Sequence, residues 1–129
     1  MSLVVTLTAD TADRDIADLG GWLDADDELR GCVRREPAPV RDGTLGGAVA
    51  QLVVSLGSGG AATALAGVII TWLRRRAGSV TVRLTRPDGS TVEMRAERVR
   101  ALAAADLRAQ VEQLAAVVWP ELTDDSAGA

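Results

Sequence analysis

The chain has no histidine, lysine, phenylalanine or tyrosine, a single cysteine and three tryptophans among its 129 residues. Without histidine there is no Ser-His-Asp or Cys-His catalysis, no imidazole general base, and little prospect of a zinc site. One cysteine, Cys32, excludes an internal disulfide and a cysteine-rich metal cluster. With Trp22, Trp72 and Trp119 as the only aromatics, any core must be packed by Val, Leu, Ile and Ala. The net charge of -4 and the pI near 4.8 argue against nucleic acid, as does a basic segment without interleaved aromatics. Charge itself is missing from Thr44 to Leu73, a run that ends in Arg74-Arg75-Arg76.

That uncharged run raises the question of a membrane. A spanning helix needs about 20 continuous apolar residues. Gly57-Ser58-Gly59-Gly60 divides the run into Leu45–Leu56 and Ala61–Leu73, and neither half is long enough. Glycine costs about 1 kcal/mol relative to alanine inside a helix, so three in four positions read as a turn. The spacing predicts two helices. The first places Leu45, Val49, Leu52, Val53 and Leu56 on one face, and the second places Leu65, Val68, Ile69 and Trp72. The second is apolar nearly all round, hence buried all round. The expected result is an apolar helical hairpin, held either in the core or in a contact with another chain. The three arginines behind it suit the negative end of the helix dipole.

The rest of the chain alternates. Leu3, Val5 and Leu7 predict a strand, and Ile16, Leu19, Trp22 and Leu23 predict a helix that Thr11 or Asp13 can cap. Asp26–Arg30 reads as one more turn closed by Gly31, and Cys32–Arg35 as a short edge strand before Pro37 and Pro39. Val80, Val82 and Leu84 face Val92, Met94 and Ala96 across Pro87-Asp88-Gly89-Ser90, a hairpin pattern. A last helix carries Leu107, Val111, Leu114 and Val118, and stops before Pro120. The expected fold class is α+β: a small antiparallel or mixed sheet of three to four strands packed with about four helices. Residues 1–120 form one domain and 121–129 a disordered tail.

Charge is segregated along the chain. Residues 9–28 carry a net -7 and residues 30–100 a net +7, which can steer a partner or align copies head to tail. An acidic helix with a solvated face accounts for the first block equally well. Chemistry is scarce. Ser58 lacks the strand and the glycine spacing of a nucleophile elbow. Asp24, Asp26, Asp27 and Glu28 lack the glycine and spacing of a calcium loop. Cys32 stands near Arg30, Arg34 and Arg35, which can lower a thiol pKa, although a lone packed thiol fits as well. Gly57, Ser58, Gly59 and Gly60 can form an anion nest at a helix start, but no Walker lysine follows, and a tight interhelical turn explains the glycines too. No catalytic, cofactor or metal residue is expected.

Several of these segments, taken in order, resemble the effector-associated constant component family. They are Trp22-Leu23, Leu29-Arg30-Gly31, Gly43-Thr44-Leu45-Gly46, Leu56-Gly57-Ser58-Gly59-Gly60-Ala61, Trp72-Leu73 and Asp88-Gly89. They run from about residue 3 to 118, with Leu45 where the family usually has Met. The resemblance implies a small α+β protein, encoded in multicellular bacteria, especially actinobacteria, beside predicted immunity or conflict genes. It implies a non-enzymatic adaptor or signal-transmitting component that couples an NTPase sensor to a variable effector, such as a peptidase. The arginine-only basic residues and abundant Ala, Gly and Val match a high-GC bacterium, and no signal pattern precedes the first strand, so the cytoplasm is expected.

Two almost wholly apolar helices exceed what a small sheet can cover. An interface is therefore expected on the hairpin, through Leu45, Val49, Leu56, Gly59, Gly60, Ala62, Ala66, Ile70 and Trp72, with Gly67 in close contact. The partner is another copy or an effector. Alternatively the hairpin inserts into a membrane with Arg74 to Arg76 at an anionic surface, or the Gly57–Gly60 turn senses a small anion or nucleotide.

Overall fold

Leu3, Val5 and Leu7 lose all contact with solvent while the residues between them stay partly open. They belong to β1 (Ser2–Ala9), the first of five strands in a computed structural model that describes residues 1–36, 48–76 and 78–120. The others are β2 (Val33–Glu36), β3 (Ala48–Ser55), β4 (Thr81–Thr85) and β5 (Thr91–Arg95). They form one antiparallel sheet in the order β2-β3-β1-β4-β5. Register builds an apolar layer on one face. Val5 lies between Leu52 and Leu84, Leu7 between Ala50 and Val82, and Val82 also meets Met94.

Four helices cover that layer: α1 (Ala12–Asp24), α2 (Gly59–Arg75), α3 (Ala96–Arg100) and α4 (Ala104–Val118). Helix α1 buries Ile16, Leu19 and Leu23 on the sheet, and its Gly20 lies close over Leu52. Helix α2 buries Leu65, Ala66, Ile69 and Trp72, and packs against the other three helices. Helix α4 adds Leu114, Ala115 and Val118 to the same cluster. The turn after α1 closes on Gly31, and the β4–β5 hairpin on Gly89. Their φ values of +78° and +91° are ones that glycine adopts without a steric penalty.

The α+β class agrees with the sequence reading, but the helical hairpin does not. Its first half is β3, and only its second half is a helix, α2. Both periods fit this segment. Val49, Leu52, Val53 and Leu56 recur at helical spacing, while Ala50, Leu52 and Val54 recur at strand spacing. Three β-branched valines in eight residues favour the strand. Leu3, Val5 and Leu7 then supply partners for Val54, Leu52 and Ala50. The extra strand raises the sheet from the expected three or four strands to five. Helix α3 takes up Ala96, expected at the end of a strand, and restores the helix count to four. No described helix is long and apolar enough to cross a membrane. Leu45, the glycines at 43–47, Pro37, Pro39 and the tail expected at 121–129 lie outside the described residues.

Candidate interaction surface

Most of the residues expected to form an exposed apolar surface are inside the chain. Leu56, Ala62, Ala66, Ile70 and Trp72 are each at most 2% exposed, because the broad apolar face of α2 packs on α1, α3 and α4 and joins one core cluster with the inner residues of the sheet. Val49 is half-buried on the opposite face of the sheet, Gly59 is half-buried and Gly60 exposed in the first turn of α2. Gly67 makes no close contact: a Cβ added there would meet nothing within 4 Å. The expected surface is thus divided between core, sheet and helix start.

The Gly57–Gly60 turn caps α2. Ser58 is extended, with φ -158° and ψ 164°, and its Oγ accepts the Ala61 N–H at 3.2 Å. None of Gly57, Gly59 or Gly60 has positive φ, so the alternation of right- and left-handed residues that makes a nest is missing here. A carboxylate of the chain itself already lies nearby, for a Cβ built on Gly60 would sit 3.7 Å from Glu28 Oε2. That placement sets a negative charge near the positive end of the helix dipole.

At the C-terminal end of α2, the three arginines each have a separate task. Arg74 Nη1 donates to the Leu102 carbonyl at 3.2 Å, and the Arg75 guanidinium lies 5.7 Å from the centre of the Trp22 ring. Arg76 stacks 4.9 Å over Trp72, pairs with Asp18 at 3.2 Å, and pairs with Asp15. Asp15 is 2% exposed and also accepts from Thr11 Oγ1 at 3.1 Å. Arg100 Nη1 in turn donates to the carbonyls of Arg76 and Gly78. A run that dipole complementarity seemed to explain therefore ties α1, α2 and α3 together. The sequence did carry a signal, since Asp15 sits on the buried face, three residues after Ala12 and four before Leu19.

The sheet face away from the helices has a different character. On it, the central strands β1 and β3 place Ser2, Val4, Thr6, Thr8, Val49, Gln51, Val53 and Ser55, with no charge among them; Ser2, Thr8 and Ser55 are exposed, Val53 is buried, and the rest are half-buried. Gln51 Nε2 donates to Thr6 Oγ1 at 3.3 Å in the middle of this field. Charges flank it on both sides, with Arg34 and Glu36 on β2 and Arg83, Glu93 and Arg95 on β4 and β5. Arg83 and Glu93 pair at 2.9 Å. An uncharged centre inside a charged rim is how protein–protein contact patches are arranged. At the hairpin tip, Asp88 is held below its ordinary carboxyl value of 3.8, chiefly by hydrogen bonds from the Ser90 side chain and then its backbone, with Arg86 adding a smaller pull. Among the described residues no cluster of Cys, Asp and Glu could hold a metal ion.

Neither the curated proteins nor the solved structures contain a match to this chain. A family model does match it, over residues 8–115, from the central strand through the main part of α4. By that match the chain belongs to the family described as Effector Associated Constant Component 1.

Proposed function

We propose that this chain is a non-enzymatic adaptor of a bacterial conflict system, relaying a signal to a variable effector by protein–protein contact in the cytoplasm. The observation that carries the reading is the sheet face on which no described helix lies, with uncharged β1 and β3 at its centre and charged flanks on β2, β4 and β5. A family named for association with effectors supports it. The partners it implies are an effector, such as a peptidase, an NTPase sensor, or further copies of the chain. The test is co-elution of the purified chain with the effector encoded beside it, followed by light scattering. Thr6→Arg, at the centre of the bare face, is expected to abolish the complex while leaving the melting temperature within a few degrees of wild type. A complex that forms equally well with Thr6→Arg would move the contact elsewhere. The absence of any complex with the neighbouring effector at micromolar concentrations would overturn the reading.

A further inference from the structure

The two edges of the sheet match one another. Strands in spatial order alternate in direction, so β2 and β5, four places apart, run the same way. The outer backbone groups of both lack a strand partner among the described residues. Their hydrogen-bond phase follows from the bonds on their inner sides. Ser55 N–H donates to the Cys32 carbonyl, so even-numbered residues of β2 face β3, and Val33 and Arg35 direct their N–H and C=O groups outward. Ala96 N–H donates to the Val80 carbonyl, so Thr91, Glu93 and Arg95 direct theirs outward from β5.

In a parallel ladder, an outward-directed residue of one strand lies alongside a residue of the other whose own groups point away. Glu93 must therefore lie beside Arg34 or Glu36 of β2, or beside Cys32 just before it, where Arg95 would meet Arg34 and set two like charges together. The second choice sets two carboxylates together. The first sets Glu93 beside Arg34, Arg95 beside Glu36, and Val92 beside Val33. Side chains agree as well, since Arg34, Glu36, Glu93 and Arg95 all stand on the bare face, while Val33 and Val92 stand on the helix-covered face. Direction, phase, facing and charge thus agree in one register, with two opposite-charge neighbours of the kind that stabilise adjacent strands.

We propose that β5 of one copy pairs in parallel with β2 of a second copy, Glu93 beside Arg34 and Arg95 beside Glu36, extending the sheet from molecule to molecule. This names one contact of the adaptor and rests on the adaptor reading for its purpose. The contact joins unlike edges, so each copy keeps one of each free and the assembly grows open-ended. Strand twist of roughly 20° per neighbour winds it into a helix. Pairing β5 with itself across a two-fold axis would also place Glu93 against Arg95, but it spans only residues 93–95, because Ala96 enters α3.

The test is light scattering of the full chain across concentration at low salt. Wild type is expected to grow past a dimer, and to shrink again as salt screens the charges. Arg95→Glu and Glu36→Arg should each be folded and monomeric alone, and an equimolar mixture of the two should assemble. The mixture recreates an opposite-charge neighbour at every junction, which a folding defect does not imitate. Wild type that stays monomeric overturns the proposal, and the edge charges then serve to keep copies apart. So does a dimer that ignores Glu36→Arg, which places β5 against itself, and so does assembly that neither variant affects. Effector binding on the same samples separates the two ideas. A monomer that binds effector removes the edge pairing alone, whereas an assembling chain that ignores effector supports the pairing and removes the adaptor reading.

Discussion

Trp72 and Asp18 meet where α1 passes the end of α2, the indole Nε1 donating to Asp18 Oδ2 at 2.8 Å. The same oxygen accepts from Arg76 Nη1 at 3.2 Å, and the other arm of that guanidinium reaches Asp15. The largest side chain of an otherwise aliphatic core thus has its one polar atom satisfied. A fixed ionic clasp holds α1 against the helix behind it. Buried ion pairs add little net stability over apolar packing, but losing one partner is costly.

Arg76→Met should therefore destabilise the fold strongly, because it leaves the Asp15 carboxylate buried with Thr11 alone. Breaking a buried pair from one side costs about 3–5 kcal/mol. The Arg76 side chain retains 28% exposure, which favours the lower end, about 3 kcal/mol. Adding Asp15→Leu to Arg76→Met should recover much of that loss, since an apolar pair removes the stranded charge. Urea denaturation of the wild type, the single and the double variant checks this. A double variant no more stable than Arg76→Met would refute the account.

Ala66 gives a second expectation, opposite to the one its sequence context suggests. It is fully buried in the chain, so Ala66→Arg should prevent folding rather than yield a smaller soluble assembly, a loss above about 4 kcal/mol. Ala66→Leu should cost about 1–3 kcal/mol through overpacking. One position along, Gly67 is half-exposed in mid-helix with free space around it. Gly67→Ala should stabilise by about 0.5–1 kcal/mol. Thermal melts of the three variants separate these outcomes, and a soluble, folded Ala66→Arg protein would show that α2 is not core.

What could be read from the sequence follows from how unambiguous each local pattern is. The β4–β5 hairpin has alternation on both sides of Asp88-Gly89, and helix α1 has one clean stripe, so both fold as their residues dictate. Segment 48–55 satisfies helix and strand periods at once. Only its long-range partner, β1, decides between them, and pairing across 39 to 53 residues leaves no local mark. The arginine clasp was hidden for a related reason. Arg74, Arg75 and Arg76 fit a helix end so well that nothing demanded further partners, although Asp15 on an apolar stripe did. Edge complementarity between β2 and β5 needs the sheet order, which no local pattern reveals.

Asp88 gives the hairpin a small acid dependence. Its carboxylate accepts from the Ser90 hydrogen bonds and lies near Arg86, which hold its folded value below 3.8. A group depressed in the folded state stabilises it above the unfolded value, and that contribution is lost as pH falls through the folded value. Asp88→Asn should remove this part of the acid dependence and leave stability near neutral pH slightly reduced. A carboxyl titration by NMR is expected to place the Asp88 midpoint below 3.8, and a midpoint above it would contradict the geometry.

Ser58 decides between a helix cap and an anion sensor. Its Oγ takes the Ala61 N–H, and Glu28 stands beside Gly60 at the same helix start. Ser58→Ala should cost about 1 kcal/mol, the usual value of an N-cap, while Ser58→Asn, which can still accept, should cost less. Inorganic phosphate should not raise the melting temperature of the wild type, because the approaching anion meets the Glu28 carboxylate at a turn whose glycines lack positive φ. A saturable rise with phosphate that vanishes in Ser58→Ala would instead assign the turn to ligand binding. It would also require Glu28 to swing away, so Glu28→Gln should then tighten the phosphate response.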